Sequence, residues 1–86
     1  MTRDQKIAHL EIHGWQPIQD GSADPRRYHG IWSDSEGIGF AYSRSAAGGR
    51  AIQLDPPFNN WEPDACSWNA ILDFELDAIL ARMSET

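Results

Sequence analysis

Apolar residues along this chain follow two periodicities, and the switch between them outlines the fold. Near the N-terminus Ile7, Ala8, Leu10 and Ile12 recur at helical spacing within "KIAHLEIH", interrupted by Glu11. Thr2 and Gln5 have the spacing of a capping box, in which each side chain satisfies a backbone N–H that the first helical turn leaves unpaired. Asp4 suits the positive end of the helix dipole. Gly14 stands where a left-handed residue closes a helix, and Trp15 follows where it would fold back on Leu10.

After Pro17 the pattern changes. "GSADP" (residues 21–25) is a loop, and from Tyr28 the period is two: Tyr28, Gly30 and Trp32 alternate with His29 and Ile31. Ile38, Phe40 and Tyr42 then share one face, with Gly39, Ala41 and Ser43 on the other. Ile52 and Leu54 mark a third short strand. "SDSEG" (residues 33–37) and "SAAGG" (residues 45–49) read as the turns between strands, and Pro56-Pro57 ends the last one. The pattern predicts a three-stranded antiparallel meander, with Gln16–Gln19 offering an extra edge strand.

Helical spacing returns at the C-terminus. Pro63-Asp64 offers an N-cap, with Ser67 as the alternative one turn later. Trp68, Ile71, Leu72, Leu76, Ile79, Leu80 and Met83 cover one broad face. Asp73 and Asp77 project from the other, beside Ala70 and Ala81, with Phe74 on its flank. The expected fold is α+β, ordered α-β-β-β-α, as a single domain over 1–86. The C-terminal amphipathic helix is expected to pack on the face bearing Ile38, Phe40 and Tyr42, because a three-stranded sheet needs such a cover.

At 86 residues the chain has room for one modest core. Four tryptophans (Trp15, Trp32, Trp61 and Trp68) are expected to supply much of it, each able to bury on the order of 200 Å². The opening "MTRDQKIAHL" has no signal-like apolar run, and no segment nears the ~20 apolar residues of a membrane helix. Cys66 is the only cysteine, so no internal disulfide can form, and a reducing, cytoplasmic setting is expected.

Net charge is −6 and unevenly distributed along the chain. Acids and bases balance over residues 1–50, whereas residues 51–86 carry Asp55, Glu62, Asp64, Asp73, Glu75, Asp77 and Glu85 against Arg82 alone. Arg26-Arg27 is the one basic pair. Phosphate contacts supply most of the affinity of nucleic-acid binders, so direct nucleic-acid binding is disfavoured, as is an anionic membrane.

Candidate chemistry is sparse. His9 and His13 lie four apart on the first helix and would both reach one metal ion, but a zinc-protease helix needs Glu directly after the first histidine. The order here is His9-Leu10-Glu11-Ile12-His13, and a third ligand would have to be His29, Cys66 or a remote carboxylate. Two solvated histidines is the simpler reading. Cys66, near the start of the predicted last helix, would gain thiolate character there; beside Trp68 it also reads as a small buried hydrophobe. "SAAGGR" lacks the Lys-Ser/Thr ending of a phosphate loop and reads as a hairpin turn. Asp73 with Asp77 lacks the apolar pocket that separates acid from base. No catalytic residue and no cofactor is assigned.

What stands out is the acidic, aromatic C-terminal third. Trp61, Glu62, Asp64, Asp73, Phe74 and Asp77 form a candidate partner-binding patch for a protein with a basic surface, charge speeding encounter and aromatics holding the complex. The same acids also read as a solubilising surface. In "PPFNNWEPDACSW" (residues 56–68) the prolines end a strand and set the start of a helix, and Trp68 is expected in the core. Phe58 and Trp61 fit either the core or the patch. Two other classes are open: a small metal- or thiol-dependent enzyme using His9, His13, His29 or Cys66, and a self-associating subunit, such as a homodimer, joined through Phe74 and exposed strand edges.

With "HLEIHGW", a helix closed by Gly-Trp, and the acidic segment "SWNAILDFELDAIL", the chain resembles small phage- or prophage-encoded accessory proteins. These include anti-CRISPRs and other anti-defence factors. The resemblance is one of size, acidity and general character and transfers no functional residue. It implies a protein that inhibits a host complex by occupying a basic, nucleic-acid-binding surface.

Overall fold

In the computed structural model, which describes residues 1–21, 28–43, 50–58 and 60–84, helix α1 (Arg3–Ile12) starts on the expected capping box. The Thr2 hydroxyl accepts from the Gln5 N–H, and the Gln5 side chain accepts from the Thr2 N–H at 2.8 Å. Gly14, at φ 86°, takes the left-handed conformation that closes the helix. Of the four apolar residues on α1 only Leu10 is buried, with Ile7 packed against the core. Ala8 and Ile12 are exposed, because only the i, i+3 pair of that stripe points at the sheet.

Five strands follow where the sequence pattern predicts three. They are β1 (Trp15–Asp20), β2 (Tyr28–Ser33), β3 (Ile38–Ser43), β4 (Ala51–Leu54) and β5 (Trp61–Glu62). They form one antiparallel sheet in the order β4-β3-β2-β1-β5. The segment expected as an extra edge strand is thus β1, and it lies inside the sheet. Pro17 is tolerated because β5 reaches only Gln19 and Asp20, so at Pro17 the side of β1 away from β2 meets no strand. The turn expected at residues 45–49 and most of the loop at 21–25 lie outside the described residues.

The register sorts side chains onto two faces. Trp15, Ile31, Phe40, Tyr42 and Ala51 point to the side of the helices and form the main core with Leu10, Ile71, Leu76 and Ile79. The expectation that Ile38, Phe40 and Tyr42 share the helix-covered face holds. Trp15 and Phe40 are its central ring pair, 5.9 Å apart. His29 and Glu75 are buried on this side as well.

Helix α2 (Asp73–Ser84) starts later than either expected cap. Residues 63–70 instead form two 3₁₀ turns, Pro63–Ala65 and Trp68–Ala70, separated by extended backbone at Cys66 and Ser67. Ile71 is extended too, which drops its side chain into the core. Leu76 and Ile79 are the buried apolar residues of α2; Leu72 is exposed, and Trp68 and Ile71 precede the helix.

Candidate functional site

Arg3, from the first turn of α1, fixes the junction between the second 3₁₀ turn and α2. One guanidinium nitrogen donates to the Trp68 and Ile71 carbonyls at 2.5 Å each, and the other reaches Asp73 Oδ1 at 2.6 Å. These are carbonyls that an uninterrupted helix would satisfy internally, so a cation 65 or more positions away in sequence does the capping. One turn along each helix, Lys6 Nζ meets Asp77 Oδ1 at 2.6 Å.

Those two ion pairs revise the acidic patch. Asp73 and Asp77, expected to offer free negative charge to a partner, are engaged by cations from the charge-balanced half of the chain. Glu75 is fully buried and adds nothing to the surface. The segregation of charge along the sequence is therefore partly undone in space.

The six patch residues also do not form one surface. Phe74, 53% exposed, rests edge-on against Tyr42 at 5.5 Å, on the helix side of the sheet. Trp61 pairs with Asp20 in register, and its ring lies on the opposite face, 6.2 Å from that of Tyr28. Glu62 and Asp64 are exposed and follow Trp61 in the chain, and Glu62 pairs with Gln19 on the helix side of the sheet.

That opposite face holds what sequence reading left open. Ile18 and Ala41 form its buried floor, the rings of Phe58 and Trp61 lie on this side, and the first 3₁₀ turn packs on β1. Four half-buried aromatics run across it in contact. Tyr28 lies 6.2 Å from Trp61, Trp61 lies 6.3 Å from Phe58, and Phe58 lies 4.3 Å from Trp32 in an edge-to-face arrangement. The Trp32 indole N–H donates to Asp34 Oδ1 at 2.7 Å, which holds that ring in place. Phe58 and Trp61 are thus neither in the main core nor beside Asp73. They build a second aromatic layer, half open to solvent, with the exposed carboxylate of Asp34 at its Trp32 end. The available signal was the alternation of Tyr28, Gly30 and Trp32 away from the core face; the partners of those rings come from a segment without periodicity.

The groups suggested for metal or thiol chemistry are dispersed. His9 and His13 stand together on exposed α1, ring centroids 4.7 Å apart. His29 is buried on β2, and Cys66 is buried with its thiol directed to the Ser67 carbonyl at 3.6 Å. Cys66 sits in extended backbone between two short turns, not at the start of α2, so the helix-dipole argument for a thiolate falls away. Among the described residues, no group of three or more His, Cys, Asp or Glu side chains is arranged to hold a metal ion. No described helix is long and apolar enough to cross a membrane.

Comparison with protein-family models, with curated proteins and with solved structures gives no match for this chain.

The Arg3 junction gives a stability prediction. Replacing Arg3 with Met takes the Arg3 donor from the part-buried Ile71 carbonyl, leaves the Trp68 carbonyl only its bond from the Ile71 N–H, and removes charge-assisted hydrogen bonds, an expected loss of about 2 kcal/mol. Lys6→Met removes a single exposed pair and is expected to cost less than about 1 kcal/mol. Urea midpoints of the two variants check the ordering; equal losses would show that the fork on Trp68 and Ile71 contributes nothing.

Proposed function

We propose that this protein is a small interaction module whose contact surface is the aromatic layer of Tyr28, Trp32, Phe58 and Trp61, and whose partner presents basic side chains. The supporting observation is the contiguous run of four half-open rings on a sheet face away from the helices. Aromatic rings in contact offer area at little entropic cost, and their faces attract Lys and Arg through cation–π contacts. The Asp34 carboxylate, bonded to the Trp32 ring, favours the same cations and repels nucleic acid. Of the patch expected from sequence, Trp61 belongs to this surface, and Glu62 pairs with Gln19 on the other face. Asp73 and Asp77 are assigned to the fold through Arg3 and Lys6, and Phe74 to the Tyr42 contact.

In its most concrete form the module inhibits a host complex by occupying a basic, nucleic-acid-binding groove. The test is affinity capture from the native host with matched variants. Wild-type protein is expected to retain a basic partner, and Trp61→Ala to weaken binding by at least about 30-fold, the effect of losing a central aromatic anchor. Asp34→Lys is expected to weaken binding and flatten its salt dependence. Asp73→Asn with Asp77→Asn should leave binding intact. A partner that tolerates Trp61→Ala but is lost with the Asp73 and Asp77 variants would move the interface to α2 and refute this assignment.

A further inference from the structure

The end of the sheet remote from Trp61 has a different character. Strand β4 pairs with β3 and, among the described residues, with nothing on its outer side. In such an edge strand alternate N–H and C=O groups point outward and can template another strand. Protective features are few: β4 contains no proline or lysine, and Ile52 is 40% exposed. Pro56 and Pro57 lie just beyond it and limit any added strand to the span of residues 50–55.

Beside this edge the second half of α2 leaves a cleft of about 690 Å³. Residues 50–53 form one wall, and Ala78, Ala81 and Arg82 form the other. The helix presents two methyl groups where larger side chains would close the gap. Among the described residues, both ionisable side chains on the lining, Arg50 and Arg82, are cationic. In a chain of net charge −6 this is a local reversal of sign. The sheet's alternation completes the geometry: the side chains of Ala51 and Gln53 share the face of α2, so a strand laid against β4 directs every second side chain toward Ala78 and Ala81.

We propose that the cleft between β4 and α2 binds an extended acidic peptide segment of a partner protein as a sixth strand. Its backbone pairs with β4, which supplies affinity without sequence preference. One apolar side chain fills the space over Ala78 and Ala81, and the carboxylates next to it in sequence, on the other face, lie near Arg50. The site is separate from the aromatic layer in place and opposite to it in charge preference, so it stands or falls independently of that surface.

The test uses the full chain, isotope-labelled for NMR and titrated with two capped hexapeptides, acetyl-EVEIEV-amide and acetyl-KVKIKV-amide. At about 1 mM the acidic peptide is expected to shift the amides of residues 50–54 and 78–82, since even a millimolar complex is visible at that concentration. It should also slow hydrogen exchange of the outward-facing β4 amides. The basic peptide should leave these signals in place. Arg50→Glu is expected to weaken the acidic complex at least tenfold, and Ala81→Trp, at an exposed position, to abolish it by filling the cleft. Equal responses to both peptides, no response at β4, or insensitivity to Ala81→Trp would overturn the proposal. So would signals of residues 50–54 that move with protein concentration alone, because a second copy of this chain would then be the occupant.

Discussion

Replacing Gly30 with alanine is expected to produce the largest loss of stability of any single added methyl group in this sheet. Gly30 lies mid-strand in β2, opposite Ala41 of β3. A Cβ there would stand 2.2 Å from the Phe40 carbonyl oxygen, 2.8 Å from the Ala41 Cα and 2.9 Å from the Ala41 Cβ. Two of those three neighbours are backbone, and none can swing aside as a long side chain would. Relief requires β2 and β3 to separate, which strains their hydrogen bonds and lifts Phe40 from Trp15. Overpacking of this kind typically costs 1–3 kcal/mol and here is placed at the upper end, about 3 kcal/mol. For a domain whose whole stability is on the order of 5–10 kcal/mol, that is a large fraction. Gly37→Ala is the control. Gly37 has φ 68° and nothing within 4 Å of the added atom, so only the left-handed backbone penalty of roughly 1–2 kcal/mol applies. Denaturant midpoints should place Gly30→Ala well below Gly37→Ala. The reverse order would mean that β2 and β3 do not approach each other as closely as described.

Local chemistry made part of this fold legible. Thr2, Gln5 and Gly14 announce α1 because caps are built from residues within a few positions of one another. The shared face of Ile38, Phe40 and Tyr42 follows from alternation alone. What sequence could not carry were interactions between distant segments. Trp15 and Ile18 are both buried in β1, yet they point to opposite faces, so their spacing of three hides a strand. Strand β5 is two residues long, below the length at which any periodicity exists. The start of α2 is moved by Arg3, which pairs with Asp73 across 70 positions. Charge read along the chain suffered the same way. The surplus of acids after residue 50 is real as a count, but its presentation depends on where Arg3 and Lys6 fold back. For the site, Trp61 stood out in sequence as an aromatic among acids; Tyr28, Trp32 and Phe58 join it only through the sheet register and the placement of Phe58.

The second large effect separates the two aromatic layers. Phe40 is 1% exposed, pairs with Trp15 and faces α2, so Phe40→Ala opens a cavity that the surrounding strands and helix cannot close. The expected loss is about 3–5 kcal/mol, enough to unfold much of the population at ambient temperature. Phe58 sits across the sheet in a half-open layer, touching Trp32 and Trp61. Its removal takes away less buried area, and solvent can fill the gap, so Phe58→Ala is expected to cost about 1–2 kcal/mol and leave the chain folded. Near-ultraviolet circular dichroism should register both changes, because each alters the surroundings of a tryptophan. Thermal unfolding should distinguish them, with Phe40→Ala melting far below Phe58→Ala. The contrast bears on function as well as fold. If the half-open layer is a contact surface, Phe58→Ala yields a folded protein deficient in binding its partner. Were Phe58→Ala instead to collapse the fold as fully as Phe40→Ala, the rings over Ile18 and Ala41 would be a second core, and their exposure would no longer argue for a partner.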